Sequence, residues 1–168
     1  MRLLADLQRV LPYDVVRISK ENYAIARDVY FTNPGYFALF DAVPDDNSIL
    51  RTVGKVPDGF DAKDKLFAAI CEDGHTVAII DLLAGYPDAD KLWLGLFLVR
   101  GDLHGGGIGA SIISHVVKVV RDAGFDSIHL GVHKDNDGAM RFWKRMSFEH
   151  ERESGDFLVY QRSLHESI

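Results

Sequence analysis

Four glycines lie within five positions in the segment HGGGIG, residues 104–109. Glycine loses more backbone entropy on folding than any other residue, so such a cluster needs a structural reason. The preceding run, Leu92–Val99, has the length of a strand and is apolar on both faces, which predicts a central strand. From Ile108 to Ala123, apolar side chains recur at helical spacing. A glycine loop between a strand and a helix leaves unpaired N–H groups at the positive end of the helix dipole, which is typical of an anion site.

The length of 168 residues predicts a single domain over residues 1–168, and 47% hydrophobic with 26% charged residues is typical of a soluble protein. No apolar run reaches the roughly 18 residues of a membrane span. Asp6 and Arg9 interrupt the N-terminal apolar residues, so we predict no secretory signal, no membrane partner and a cytoplasmic location. The net charge of −6 disfavours nucleic acid and is compatible with an amine substrate. The sequence does not determine the oligomeric state, and a homodimer is possible.

The sequence predicts no metal site. Cys71 is the only cysteine, which excludes an internal disulfide and a cysteine-based zinc cluster. His129 and His133 are four residues apart on a predicted strand, so they lie about 13 Å apart and cannot share an ion. His133, Asp135 and Asp137 could meet around a loop, but Asp137 is better explained as a helix N-cap.

Periodicity and turn residues predict the remaining elements. They are a strand over Tyr13–Ser19, helices over Glu21–Tyr30 (ended by Asn33-Pro34-Gly35) and Asp46–Val53, a β-hairpin turning at Asp73-Gly74, a strand over Ser127–Val132, a helix over Asp137–Met146 and a strand over Phe157–Tyr160. This order predicts an α/β (α+β) fold, with one mixed sheet and helices on both of its faces.

Two nucleotide-binding motifs fit the glycine segment poorly. A Walker P-loop requires Gly-Lys-Ser/Thr, whereas Gly109 is followed by alanine and serine. A dinucleotide fold is superficially satisfied by Gly105-x-Gly107-x-x-Ala110, but its acidic residue should end the next strand, and Asp126 precedes that strand. A dinucleotide-dependent oxidoreductase is therefore the weakest alternative.

The segment LFLVRGDLHGGGIG resembles the acetyl-CoA motif of the GNAT acyltransferase family. In that motif, Arg or Gln, two residues, Gly, one residue, then Gly or Ala follow a central strand, and His104, Gly107 and Gly109 occupy these positions. NDGAMRFWKRMSF resembles the second signature of the family, with Asn136, Ala139 and Phe148 in register. The two signatures occur in the right order with one helix and one strand between them, and the resemblance covers residues 66–150.

The resemblance implies a mostly antiparallel sheet and acetyl-CoA as co-substrate. The strand before the glycines would splay from its neighbour and pair with the pantetheine arm, and the amide of Leu98 would face the thioester oxygen. The glycine loop would hold the pyrophosphate. The residues implied in coenzyme binding are Phe97, Leu98, Val99, His104, Gly105, Gly106, Gly107, Ile108, Gly109, Asn136 and Trp143. The implied activity is N-acetylation of a primary amine, on a small molecule or a peptide, by direct attack in a ternary complex.

This sequence departs from the family pattern at two positions. His104 replaces the usual Arg or Gln, but its side chain is secondary to the backbone amides. Trp143 stands where the family has a tyrosine that protonates the leaving thiolate, and an indole N–H is no practical acid. Because a thiol has a pKa of about 8.5, its thiolate can leave without that acid. An acyl-CoA-binding sensor without turnover stays an alternative.

An attacking amine must lose a proton, so a general base is expected. Asp81 is the candidate, because it interrupts VAIIDLL and by alternation shares a strand face with Val77, Ile79 and Leu83. A structural aspartate explains the pattern equally well. The aromatic patch at residues 36–40, with Tyr36, Phe37 and Phe40, could line the acceptor pocket or pack in the core.

Overall fold

The structure is a computed structural model and describes residues 2–165. Its centre is a seven-stranded sheet with the order β1-β2-β3-β4-β5-β7-β6. The strands are β1 (Asp14–Arg17), β2 (Lys65–Glu72), β3 (His75–Ala84), β4 (Lys91–Val99), β5 (Ser127–His133), β6 (Glu149–Ser154) and β7 (Phe157–Ser163). The helices are α1 (Leu3–Val10), α2 (Arg27–Phe31), α3 (Pro34–Ala38), α4 (Asp46–Gly54), α5 (Ile108–Asp122) and α6 (Asp137–Arg145).

The sheet is mixed and mostly antiparallel, as predicted, and β4 is its middle strand. Only the pair β4–β5 is parallel. The predicted hairpin joins β2 to β3 at Asp73 and Gly74, both with positive φ, as a tight two-residue turn requires. No helix within residues 2–165 is both long and apolar enough to cross a membrane.

Helices cover both faces of the sheet, which confirms the predicted layering. Neighbouring residues of β3 separate the two faces because side chains alternate along a strand. Ile80 belongs to a core with Leu7 of α1 and Ile112 of α5. Ile79 belongs to a second core with Tyr30 of α2 and Ile49 of α4. All six side chains are fully buried.

Two elements lack a prediction from the sequence. Helix α1 buries Leu3 and Leu7, one turn apart, while its charged residues lie on the outer side. Strand β6 has the sequence EHERES, and all six residues are exposed. Its ladder with β7 holds it in the sheet, together with the contact of Glu151 Oε2 with His129 Nδ1 of β5 at 3.2 Å. A strand without an apolar face carries no alternation that the sequence could display.

Three local predictions are wrong. The helix expected over residues 21–30 is a 3-10 turn, Tyr23–Ala26, followed by α2, and Pro34 begins α3 where a helix end was expected. A proline at the first position of a helix is favourable because the missing N–H has no partner there anyway. The N-cap of α6 is Asn136, whose Oδ1 accepts from the Ala139 N–H at 3.1 Å, and Asp137 is the first helical residue.

Strands β4 and β5 diverge after a short stretch of pairing. Their register runs from Lys91–Ser127 to Leu94–Leu130 and ends there. On its other side, β4 stays paired with β3 as far as Val99. Gly95 is an extra residue in β4, because Asp81 lies opposite Leu96 and the next residue of β3 lies opposite Leu94. Such a bulge bends a strand, and a V-shaped gap opens between the ends of β4 and β5.

The Gly101→Ala substitution tests how tightly the end of β4 is held against α2. A Cβ at Gly101 would overlap the carbonyl oxygen of Thr32, and the Gly101 N–H donates to Thr32 Oγ1 at 2.8 Å. We expect the free energy of unfolding, measured by urea denaturation, to fall by about 1–3 kcal/mol. Gly35→Ala is the control, because nothing lies within 4 Å of a Cβ there and alanine favours helix α3. Equal stability of the two variants would contradict the close approach.

Candidate functional site

A cleft of about 760 Å³ opens from the gap between β4 and β5. Its walls come from α3, from the loop that precedes α5, from the N-terminal part of α5, and from α6 along its whole length. All the residues predicted for the site line this cleft except Gly106 and Asp81. The fold therefore brings the glycine segment and the Asn136–Trp143 segment, which are about 30 residues apart in the chain, to opposite walls of one cavity.

The register of β4 determines which backbone groups face the gap. The Arg100 N–H donates to the Val77 carbonyl of β3 at 2.8 Å. Because hydrogen-bonded pairs alternate in an antiparallel ladder, Leu98 also directs its N–H and C=O to β3. Phe97 and Val99 direct theirs into the gap, where β5 no longer pairs. The expectation that the Leu98 amide faces the cleft does not fit this register.

The Val99 carbonyl is already occupied. It accepts from Asn33 Nδ2 at 2.9 Å and from His104 Nε2 at 2.8 Å. The His104 ring thus lies against the end of β4, and its hydrogen bond tethers the glycine loop to that strand. Both backbone groups of Phe97 and the N–H of Val99 remain directed into the cleft.

The N-terminus of α5 also presents free N–H groups. Its N-cap is Gly107, with φ of 84°, a left-handed conformation that favours glycine, and no side chain caps the helix. The first hydrogen bond within the helix is from Ser111 to Gly107, so the amides of Ile108, Gly109 and Ala110 have no partner in the preceding turn. These three residues line the cleft. By contrast, side chains cap α4 and α6.

The opposite wall is formed by α6. The Oδ1 of Asn136 caps this helix, which leaves its Nδ2 group as the donor on this side chain. Trp143 is only 7% exposed, and its ring packs against Phe97, Phe142 and Phe148 at centroid distances of 6.2, 4.9 and 5.1 Å. Trp143 is therefore both a cleft residue and a core residue.

A second, smaller cavity of about 130 Å³ adjoins the cleft, and we call it the aromatic pocket. The residues that it shares with the cleft are Tyr36, Phe97, Leu98, Asn136, Ala139 and Trp143. The other residues that line it are Phe40, Leu94, Gly95, Leu96, Leu130, Gly131, Val132, His133 and Phe157. The predicted aromatic patch is thus divided, since Tyr36 and Phe40 line this pocket whereas Phe37 is buried in the core.

Tyr36 lies where the two cavities meet. Burial raises the pKa of its phenol to about 12, so the hydroxyl keeps its proton at neutral pH. It can therefore donate a hydrogen bond in either cavity. Its position on the short helix α3 has no local sequence signal beyond the aromatic patch.

Asp81 does not line either cavity but lies beside the aromatic pocket. Its Oδ2 accepts from Lys65 Nζ at 3.3 Å, and it is 3.0 Å from where a Cβ of Gly95 would be. Lys65 is 3% exposed and also donates to the carbonyl oxygens of Thr52 and Lys55. Burial raises the pKa of Asp81, although the ammonium of Lys65 opposes this shift. The predicted strand face is only partly correct. Ile79 lies on the same side of β3 as Asp81, whereas Val77 packs in the core on the opposite side of the sheet.

Several cleft residues have no prediction from the sequence. Asn33 supports the end of β4 through its bond to Val99, and Arg145 brings a cation to the wall formed by α6. A cation in the last turn of a helix is common, so its sequence position does not distinguish it. The others are Gly35, Leu39, Leu103, Ala110, Asp135, Gly138, Ala139 and Phe142.

The acetyltransferase (GNAT) family profile matches residues 25–148. The chain belongs to the GNAT acetyltransferase family. This membership removes the support for a dinucleotide-dependent oxidoreductase. Among curated proteins, none matches this chain.

Solved structures of GNAT proteins share the fold. An acetyltransferase from Thermus thermophilus is 23% identical, with a TM-score of 0.77 over 92% of this chain and 98% of that one. A PaiA N-acetyltransferase from Thermoplasma acidophilum, solved in complex with coenzyme A, is 16% identical, with a TM-score of 0.68 over 91% and 99% of the two chains. The ribosomal-protein-S18-alanine N-acetyltransferase from Escherichia coli is 11% identical, with a TM-score of 0.66 over 91% and 94%.

Proposed function

We propose that this protein transfers an acetyl group from acetyl-CoA to a primary amine, by direct attack in a ternary complex. One observation carries the proposal: a single cleft holds unpaired backbone groups of β4 at one end and the uncapped N-terminus of α5 at another. The first suits the amides of a pantetheine arm and the second suits a pyrophosphate. The solved relative with bound coenzyme A supports the same ligand.

The coenzyme would bind largely through the backbone. The pantetheine arm would pair with the carbonyl of Phe97 and with the N–H of Val99, in the place that β5 leaves open, and the N–H of Phe97 would be left for the thioester. The first-turn amides of α5 would hold the pyrophosphate. Asn136 Nδ2 would donate from the opposite wall, and Arg145 adds a positive charge there. In this arrangement Gly106 has no direct role, because it does not line the cleft.

The chemistry needs a donor for the oxyanion. The amine nitrogen attacks the thioester carbon, a C–N bond forms, and the carbonyl oxygen becomes an oxyanion. The N–H of Phe97 faces the gap and is suited to stabilise that charge, which is the part first expected of Leu98. Collapse of the oxyanion then breaks the C–S bond and releases the thiolate of coenzyme A.

Two protons must be transferred. Asp81 would take the proton from the amine, through its position beside Gly95, and its raised pKa brings it closer to the range in which a base works at neutral pH. The thiolate would take a proton from water, because the Trp143 indole is no acid and a thiol pKa of about 8.5 makes the thiolate a tolerable leaving group.

A second candidate function is an acyl-CoA sensor without turnover. The buried Trp143, in the place of an acidic tyrosine, is the observation that favours it. Release of free thiol from acetyl-CoA in the presence of amines separates the two candidates, because a sensor binds the coenzyme and releases none.

Ala110→Glu tests the anion site at α5. A carboxylate at this exposed third helical position suits the helix dipole but would repel a pyrophosphate at the same amides. We expect the Kd for acetyl-CoA, measured by isothermal titration calorimetry, to rise at least about tenfold, which is about 1.4 kcal/mol. Ser114→Glu adds the same charge one turn later, outside the cleft lining, and should leave the Kd unchanged. Equal affinities of both variants and the parent protein would refute the site.

Asp81→Asn tests the base. If Asp81 accepts the proton, kcat should fall at least about 100-fold while the Kd for acetyl-CoA stays unchanged. The rate should rise with pH as the carboxyl ionises, and this rise lies above the usual pKa of aspartate because burial raises it. Lys65→Met removes the ammonium that opposes this shift, so the rise should move to higher pH. A rate and a pH profile that neither substitution alters would assign Asp81 a purely structural role.

A further inference from the structure

The acceptor pocket itself indicates which amine is acetylated. We infer that the acceptor is a monoamine that carries a flat, apolar ring, and that the ring binds in the aromatic pocket. This inference rests on the proposed function and extends it from any primary amine to one chemical class. Four features of the aromatic pocket support it, namely its rings, its volume, its charge and its position.

Aromatic rings surround an exposed glycine of β5. A Cβ at Gly131 would be 3.6 Å from Phe157 Cδ1 and 3.8 Å from Trp93 Cζ2, so the bare backbone of Gly131 lies beside both rings. Phe40 is 5.9 Å from Phe157 and 5.4 Å from His133, measured between ring centroids. Phe40 and Phe157 are 42% and 38% exposed. Apolar rings left open to solvent at a cavity are typical of a binding surface.

The volume of the aromatic pocket suits one ring. The cavity measures about 130 Å³, and an apolar protein cavity of about 150 Å³ holds a benzene molecule. The pocket is thus filled by a single six-membered ring, and a longer polymer would have to extend into solvent. Burial of the ring beside Phe40 and Phe157 would remove both side chains from water, which favours binding.

Within residues 2–165, the lining of the pocket carries no carboxylate and therefore favours a monoamine over a polycation. Among the described residues that line it, the titratable side chains are those of Tyr36 and His133, and neither is anionic at neutral pH. His133 Nδ1 accepts from the Asp135 N–H at 3.1 Å, so a neutral ring carries its proton on Nε2 and is a donor. Two carboxylates lie next to this lining, and the first of them, Asp81, pairs with Lys65. The second is Asp135, whose Oδ2 is 3.9 Å from His133 Nδ1. Within the pocket itself, as far as the structure describes it, a polyamine or an aminoglycoside would find no carboxylate for its additional ammonium groups.

The position of the pocket brings the amine to the reaction site. The aromatic pocket and the cleft share Phe97, whose N–H would stabilise the oxyanion. Gly95 lines the pocket, and the Asp81 carboxylate lies next to this glycine, 3.0 Å from where its Cβ would be. An amine joined to a bound ring by one or two carbon atoms would therefore lie between the proposed base and the thioester. The aromatic rings also attract an ammonium group before it loses its proton.

The experiment compares three amines with acetyl-CoA as donor, using thiol release. We expect kcat/KM for 2-phenylethylamine to exceed those for n-butylamine and spermidine at least about tenfold, which is about 1.4 kcal/mol of transition-state stabilisation. In Gly131→Val the side chain occupies the space beside the rings, without a close contact at its Cβ. This substitution should raise the KM for 2-phenylethylamine at least about tenfold and leave the KM for acetyl-CoA unchanged.

Phenylalanine variants supply a matched pair. Phe40→Ala should raise the KM for 2-phenylethylamine, whereas Phe31→Ala should not, because Phe31 is equally exposed at 45% but lines neither cavity. Faster turnover of spermidine, or an unchanged KM in both Gly131→Val and Phe40→Ala, would overturn the inference. Faster turnover of benzoyl-CoA than of acetyl-CoA, abolished by Gly131→Val, would also overturn it, because the pocket would then hold the acyl group.

Direct binding separates this inference from the proposed function. Calorimetric titration of 2-phenylethylamine into the protein saturated with coenzyme A should give a heat of binding that Gly131→Val removes. If no amine is turned over but this binding occurs, the proposed catalysis fails and the pocket assignment stands. If spermidine or butylamine is turned over and 2-phenylethylamine neither binds nor reacts, the inference fails and the proposed function stands.

Discussion

The end of β-pairing between β4 and β5 is the constraint on which the site depends. A parallel pair that stops after Leu94 and Leu130 leaves backbone groups of the central strand without a partner. Unpaired N–H and C=O groups in a protein interior are costly, so such a gap is stable when solvent or a ligand satisfies them. The bulge at Gly95 bends β4 away from β5 and sets which groups these are. The cleft, the aromatic pocket and the position of Phe97 all follow from this one divergence.

At the other end of the cleft, the glycine segment likewise leaves backbone groups without a partner. A side-chain cap at the start of α5 would satisfy its first amides and close the site to an anion. Gly107 in a left-handed conformation begins the helix without such a cap, and the His104 ring secures the loop to the Val99 carbonyl. The proposed coenzyme would therefore complete two sets of backbone hydrogen bonds that the fold leaves open. Backbone recognition of this kind would tolerate His104 in place of Arg or Gln.

The sequence predicts features with local causes and misses those with distant ones. The glycine segment, α5 and the hairpin at Asp73-Gly74 follow from residues adjacent in the chain. The amide that faces the gap is that of Phe97 rather than that of Leu98 because of the register between β4 and β3. A bulge shifts this register, and no local sequence pattern encodes it. Asp81 can be recognised in the sequence because it interrupts an apolar strand. Its partner Lys65 comes from β2, so their pairing depends on the contact between two strands. The exposed strand β6 has no apolar alternation from which it could be predicted.

Amide hydrogen exchange along β4, followed by NMR, tests the central claim most directly. If the gap holds the coenzyme, the amides of Phe97 and Val99 exchange fast in the free protein and slowly once acetyl-CoA is bound. The Leu98 amide, paired with β3, exchanges slowly in both states. Exchange at Phe97 and Val99 that stays unchanged at saturating acetyl-CoA would contradict the account, as would protection gained at Leu98 instead.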